Sequence, residues 1–209
     1  MKKLDLRKQL KHLYNPSAKH VEVVEVPRFK FVKIDGAIEP GHEPGSSPKF
    51  QEAMQTLYGA AYTLKFMSKL RKEAPIDYPV MALEGLWWVE DGQFSFTSKD
   101  NWMYTLMIMH PDHITQVMFE DAIQQVRVKR GDSPALGRLK WEEFEEGLCI
   151  QTMHIGPYAT EPATLEKMDA FARDNNYTLH GKHHEIYLGN PLRAQPEKLK
   201  TVLRHPVSK

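Results

Sequence analysis

Cysteine is nearly missing from this chain: Cys149 is the only one among 209 residues. No internal disulfide can form, which fits a reducing compartment. Long apolar runs are missing too. The longest stretch runs from Trp102 to Met109, far short of the ~20 residues that cross a bilayer. Neither sign of charge dominates, since 28 Lys and Arg face 27 Asp and Glu and the formal net charge is +1. That excludes the electrostatic bulk with which a protein wraps nucleic acid or holds an anionic membrane. Met1 to Lys8 is basic but brings no apolar segment, so no secretory signal is read there. No glycine-rich phosphate loop of the Walker or dinucleotide type occurs. The expectation is a cytoplasmic, monomeric protein that contacts neither nucleic acid nor membrane. With 41% hydrophobic residues it has length enough to bury a core without metals or staples.

What the chain does have is rings. Four Trp, eight Tyr and nine Phe are present, and many fall between Tyr58 and Tyr104. Large rings line pockets for flat apolar ligands, and they also fill cores; both readings stand at this point.

Residues 1–20 are polar and contain Tyr14-Asn15-Pro16-Ser17, which reads as a loose leader with room for one short helix. The β-branched and aromatic run after Val21, broken at Pro27, predicts a strand over Arg28 to Ile34 closed by Asp35-Gly36. Gly41 to Pro48 is turn-forming throughout. Phe50 to Lys72 is the strongest helix, because Phe50, Ala53, Leu57, Ala60, Leu64 and Met67 recur at three- and four-residue steps. Met54, Tyr58, Tyr62 and Phe66 make a second stripe beside them. Tyr78 to Val89 and Trp102 to His110 read as strands joined by a loop from Glu90 to Asn101. A helix is expected from Asp112 to about Arg130, burying Ile114, Val117, Met118, Ala122 and Val126. After the break at Gly131-Asp132-Ser133-Pro134 come a strand from Leu148 to Ile155, the turn Gly156-Pro157-Tyr158 and a helix from Pro162 to about Asn175. A strand from His183 to Leu188 follows, then a turn at Gly189-Asn190-Pro191 and a last strand over Lys200 to His205.

Set side by side, the two halves share the order β-α-β-β, and Leu83-Glu84-Gly85-Leu86-Trp87 falls where His184-Glu185-Ile186-Tyr187-Leu188 falls. The predicted class is α+β. Two β-α-β-β repeats form one antiparallel sheet, with helices on one face and a ligand groove on the other at a pseudo-twofold axis. Residues 1–20 are then a leader and 21–209 a single domain, its repeats covering about 21–130 and about 140–209.

At these residues the chain resembles the GyrI-like small-molecule-binding proteins, a fold also used as the effector domain of some drug-responsive transcription regulators. The matching pieces are His154-Ile155-Gly156-Pro157-Tyr158, then Glu185-Ile186-Tyr187-Leu188 with Asn190-Pro191, then Pro196-Glu197-Lys198-Leu199-Lys200-Thr201. The first half is similar to a narrower subgroup through Phe50, Ala53, Leu57-Tyr58, Ala61-Tyr62, Leu64-Lys65-Phe66 and Leu83-Glu84-Gly85-Leu86-Trp87-Trp88. That subgroup comprises cyclopropanoid cyclopropyl hydrolases, which open the strained ring of DNA-alkylating natural products with an aromatic cage and an acid. The resemblance covers roughly residues 20–207. It departs at Asn190, where the family usually carries Asp; that side chain is read as touching the turn. Residues 1–20 are too short and irregular for a helix-turn-helix module, so a transcription regulator is disfavoured.

Alternation in the strand puts His183, Glu185 and Tyr187 on one face. A carboxylate among rings can pair with a cationic ligand through ion pairing and cation–π contact. It can also act as general base on water, or be a solvated edge acid. On the hydrolase reading, Glu185 handles the attacking water. Tyr158 or His154 stabilises the phenolate formed from a dienone. Trp87, Trp88 and Trp102, with Tyr58 and Tyr62, sandwich the rings, and Glu84, His183 and Tyr187 complete the cage. Adjacent Trp87 and Trp88 point to opposite faces of a regular strand; Trp88 shares Glu84's parity and is preferred unless Gly85 marks a bulge. The rival reading is a binding protein that sequesters or senses flat aromatic molecules. No cofactor is implied. The His180 to Glu185 cluster is set aside as a metal site because His183 and His184 diverge and no distant Cys, Asp or His pair completes a zinc set. Cys149, in an apolar strand, is read as a buried inert thiol.

Overall fold

The computed structural model of the protein describes residues 1–90, 101–189 and 194–209. In chain order its elements are β1 (Lys2–Lys3), α1 (Leu6–Gln9), α2 (Lys11–Tyr14), β2 (Glu22–Val26), β3 (Phe29–Ala37), α3 (Pro48–Leu70), β4 (Ile76–Asp77), β5 (Leu83–Trp88) and β6 (Met103–His110). Then come α4 (Gln116–Arg130), α5 (Pro134–Arg138), β7 (Lys140–Phe144), β8 (Gly147–Ile155), α6 (Glu161–Asp174), β9 (Thr178–Leu179), β10 (His183–Tyr187) and β11 (Lys200–Ser208). The predicted turns at Asp91-Gly92 and Asn190-Pro191 lie outside the described residues. No helix among the described residues is long and apolar enough to cross a membrane.

One antiparallel sheet has the order β2-β8-β11-β10-β5-β6-β3-β7. The duplication is visible in it. One half runs β3, α3, β5, β6 and the other runs β8, α6, β10, β11, so the sheet reads β8-β11-β10 meeting β5-β6-β3 across the axis. The halves join where β10 pairs with β5, with Glu185 opposite Gly85 and Ile186 opposite Glu84. Residues directly opposite share a face. Glu185, His183, Tyr187, Gly85 and Trp87 therefore lie on one side, and Glu84, Leu86, Trp88, His184 and Ile186 on the other. A twofold normal to the sheet keeps every residue on its own face, so Glu84 is not the counterpart of Glu185; the sequence alignment of the two halves is one residue out of register. No bulge interrupts β5, and Trp87, not Trp88, shares Glu185's face.

Both long helices cover that same face. Helix α3 starts where Ser47 accepts the Phe50 amide proton and Pro48 supplies a preset φ. It buries Phe50, Ala53, Leu57, Ala60, Ala61 and Leu64 over β3 and β6. Phe50 stacks on Trp87 at 5.6 Å and meets Tyr104 edge-on at 5.0 Å. Helix α6 covers β8, and its Met168 and Ala172 join Ile150, Leu203 and Val207 in a second, smaller core.

The opposite face is closed by the N-terminal residues. Leu13 and Tyr14 are buried. The Tyr14 hydroxyl donates to Glu84 Oε1 at 2.6 Å, Arg204 Nη2 donates to the Leu13 carbonyl at 2.8 Å, and Gln151 Nε2 donates to the His12 carbonyl at 2.6 Å. A segment expected as a loose leader thus forms two short helices seated on the sheet. Its composition hides this because two of these three bonds end on backbone carbonyls and all three partners lie far away in sequence.

Two further differences have local causes. The charged stretch Lys140-Trp141-Glu142-Glu143-Phe144, unassigned in the sequence, forms the edge strand β7. Its acids face water and Glu142 pairs with Lys33 at 3.0 Å, the usual protection of an exposed edge. Helix α4 begins later than expected because Thr115 caps it, accepting from the Met118 amide. The phase set there buries Phe119, Ala122 and Val126 and leaves Val117 66% exposed.

Candidate functional site

The sequence places an acid in the middle of β10, and the sheet register turns it toward the helices. Glu185 is buried. His183 Nε2 lies 3.2 Å from its Oε1, and the Tyr187 hydroxyl bonds to the same carboxylate. Tyr187 in turn accepts the indole N–H of Trp87 at 2.9 Å. A relay therefore runs from Trp87 through Tyr187 to Glu185. Burial and the Glu185 charge hold the Tyr187 phenol in its protonated form.

A second acid, which the sequence reading missed, stands beside the first. Glu161 opens α6 and is only 1% exposed, and its Oε1 has no hydrogen-bond partner. Burial, followed by the charge of Glu185, raises its pKa to about 9, so it is a neutral carboxylic acid at pH 7. The only signal was Glu161-Pro162 after the Gly156-Pro157 turn, which reads equally well as an ordinary acidic first turn of a helix. Tyr158, in the short turn before α6, places its ring edge against Tyr187 at 5.9 Å. Burial and the two acids push its phenol up to about 12, so it too stays protonated.

Gly85 makes the relay possible. A β-carbon there would fall 2.8 Å from Trp87 Nε1 and 3.1 Å from the Tyr187 hydroxyl. Both groups belong to the bond that crosses over it. Gly85→Ala is expected to lower stability by about 1–3 kcal/mol through overpacking, and to shift the Trp fluorescence as the Trp87 indole loses its acceptor. An unchanged denaturant midpoint together with an unchanged emission spectrum would refute the crossing.

The remaining candidates divide by face and depth. Trp102 lies with Trp87 at 5.5 Å and is buried. Tyr58 is half-buried on α3, close enough to Tyr158 to affect its titration. Tyr62, one turn on, is 50% exposed. His154 is buried on Glu185's side of the sheet, but both its nitrogens are engaged: Nδ1 lies 2.8 Å from Thr164 Oγ1 and Nε2 lies 3.2 Å from the Pro157 carbonyl. It pins the corner between β8 and α6. Trp88 and Glu84 are on the opposite face, Trp88 under the Lys182 ammonium at 3.2 Å from the ring centre. The acid and rings first assigned to a groove on the helix-free face thus stand on the helix face.

On the face opposite α3 and α6, Glu84 belongs to a buried charge cluster. His184 bridges Glu84 Oε2 at 3.1 Å and Glu146 Oε2 at 2.9 Å, and Arg204 Nη1 reaches Glu146 at 3.2 Å. Burial works against the His184 charge, but Glu146 and Glu84 outweigh it and raise its pKa to about 9. Burial likewise opposes Glu146, and His184 and Arg204 overcome it, lowering that carboxyl to about 2. Every charge has a partner here, so the cluster reads as structure. Among the described residues no three His, Cys, Asp or Glu side chains converge as metal ligands.

Comparison with known proteins adds three findings. Residues 19–208 match the model of the GyrI-like small molecule binding domain. Three solved structures from Listeria innocua are similar over almost the whole chain. An uncharacterised conserved protein is 37% identical with a TM-score of 0.88, covering 98% of this chain and 100% of its own. Two proteins described as hydrolases are 36% and 38% identical with TM-scores of 0.82 and 0.85, covering 98% and 99% of this chain and 100% of theirs. No curated protein matches.

Proposed function

This chain belongs to the GyrI-like small-molecule-binding family, and we propose that it is a hydrolase that opens the cyclopropane ring of aromatic DNA-alkylating compounds with water, detoxifying them. The observation that carries this reading is the acid pair on the helix face. Glu185 is buried among Tyr187, Trp87 and Tyr158 with the neutral Glu161 beside it. The relation to the two Listeria hydrolases supports hydrolysis as the class of reaction.

In a spirocyclopropane conjugated to a dienone, the water oxygen bonds to the ring methylene and the strained C–C bond breaks. The electron pair of that bond ends on the dienone oxygen, which becomes a phenolate in a newly aromatic ring. Glu185 orients the water and takes its proton. Tyr158, held protonated, donates to the developing phenolate, as a preorganised donor does in an oxyanion hole. The proton on Glu185 then passes to the phenolate by way of solvent, so substrate plus water gives alcohol plus phenol. His154, with both nitrogens committed, is not assigned this role. Glu161 stays neutral and so spares the site a second negative charge. Trp87, stacked on Phe50 and packed beside Trp102, donates its indole N–H to Tyr187 and so fixes the relay that positions Glu185. Because ring opening relieves strain and creates aromaticity, positioning and one base are enough, and no cofactor enters.

The test is to incubate the protein with a cyclopropane of this kind and follow conversion by mass. The native chain is expected to turn over many equivalents, and Glu185→Gln to lose about 10²–10⁴-fold in kcat/KM, the usual contribution of a positioned base. Stoichiometric retention of the intact compound by the native chain would instead favour a binding protein. Two acids among rings also suit an aromatic cation.

A further inference from the structure

We infer that the outer face of α3 carries a second ligand site, separate from the acid pair and suited to a planar aromatic anion. An open cavity of about 310 Å³ lies there, lined by Met54, Gln55, Tyr58, Gly59, Tyr62 and Arg130. That size is at the low end of small-molecule sites and fits a two-ring compound.

Its lining has a definite chemistry. The Tyr58 and Tyr62 rings stand 6.3 Å apart with planes inclined by 32°, giving an aromatic wall two residues long. The floor is backbone, because residue 59 has no side chain. The Arg130 guanidinium takes the free space, and a β-carbon on Gly59 would come within 3.1 Å of its Nη1. Arg130 is exposed, closes the C-terminal end of α4 and forms no ion pair among the described residues. Arg127 and Lys129 share its last turn, and Arg7 acts on the Tyr58 phenol from another side. Charges of the opposite sign nearby are fewer: Asp132 is taken up by Arg127 at 3.2 Å, and Glu52 lies a turn away on α3. A planar guanidinium beside two phenols matches an aromatic ring bearing a carboxylate or sulfonate. The anion pairs with Arg130 and the ring packs on Tyr62.

The acid pair and this cavity therefore prefer opposite charges. Glu185 repels an anion and Glu161, desolvated and proton-bearing, offers it no cation, whereas Arg130 attracts one. Tyr58 stands between them, lining the outer cavity and affecting the titration of Tyr158. The inference does not rest on the proposed hydrolysis, since it needs neither acid.

The experiment uses the full chain and 8-anilinonaphthalene-1-sulfonate as probe, read by dye fluorescence and by calorimetry. Saturable one-to-one binding is expected. Arg130→Gln and Tyr62→Ser alter exposed side chains, so both should keep the native circular dichroism and melting temperature. Each is expected to weaken the dye at least about tenfold, the loss of a charge-assisted bond or of an aromatic contact. Glu185→Gln should leave it unchanged. Affinity within about threefold of native in both outer variants, or a loss caused by Glu185→Gln instead, would overturn the site. A concentration-dependent dimer that masks Tyr62 and excludes the dye would overturn it as well.

Discussion

Replacing Arg204 by Met is expected to lower the stability of the protein by about 3–5 kcal/mol, the cost of stranding a buried charge. The guanidinium is 2% exposed and makes four bonds. Nε and Nη2 donate to Gln151 Oε1 at 3.1 and 3.0 Å, Nη1 donates to Glu146 at 3.2 Å, and Nη2 donates to the Leu13 carbonyl at 2.8 Å. Met fills much of the volume but restores none of these. Glu146 then keeps only His184, and the N-terminal segment loses a donor that ties it to the sheet. Urea unfolding should show the lowered midpoint, and limited proteolysis should cut faster within residues 1–20. The exposed Arg28–Glu145 pair, 3.0 Å apart, is the control, and removing it should cost no more than about 1 kcal/mol. Equal effects from the two changes would mean that the buried cluster does not anchor the segment.

The same cluster has a pH signature with a definite sign. His184 is raised from 6.5 to about 9, so its contribution is complete below 6.5 and is lost as pH rises through about 9. Glu146 is lowered from 4.5 to about 2, so its contribution is complete above 4.5 and is lost as pH falls through about 2. Both are intact between 4.5 and 6.5. Over that interval a change in stability must come from elsewhere.

The fold was legible where periodicity acts through local contacts. Phe50 to Met67 shows its buried face at every turn, and Gly131 to Pro134 separates the repeats in plain view. Pairing between the repeats was not legible, because the register of β10 on β5 is set by contacts a hundred residues apart. A one-residue error was enough to equate Glu84 with Glu185 and to prefer Trp88 over Trp87, since a strand reverses its face at each step. Glu185 itself was found because alternation within one strand is local. Glu161 was not, because what makes it unusual is depth, and an acid in the first turn of a helix looks the same in sequence whether buried or solvated. The N-terminal segment escaped for a related reason: His12 and Leu13 dock through their carbonyls, which no side chain advertises.

Glu161→Gln is expected to stabilise the protein at neutral pH and above. A carboxyl that is neutral when folded but ionised when unfolded draws stability away from the native state. Between its ordinary 4.5 and its raised value of about 9 the folded chain holds a proton that the unfolded chain has released, and stability therefore falls as pH rises across that interval. Gln is neutral in both states, has nearly the same shape and removes this dependence. Its advantage should be small near pH 4.5, reach about 3 kcal/mol at pH 7 and continue to grow toward pH 9. Urea midpoints of the two proteins at pH 5, 7 and 8.5 would measure it, and a difference that does not change with pH would show that Glu161 is ionised in the folded chain. A stabilising change at a buried acid has a functional meaning, because a chain gains nothing in folding from an unpaired carboxyl oxygen beside a second carboxylate. Such a group persists where the site uses it. The arrangement sets Glu161, its pKa raised by burial and by Glu185, next to a second carboxyl group and the rings. The fully paired cluster on the other side of β10 has no such strain, since each of its charges meets a partner.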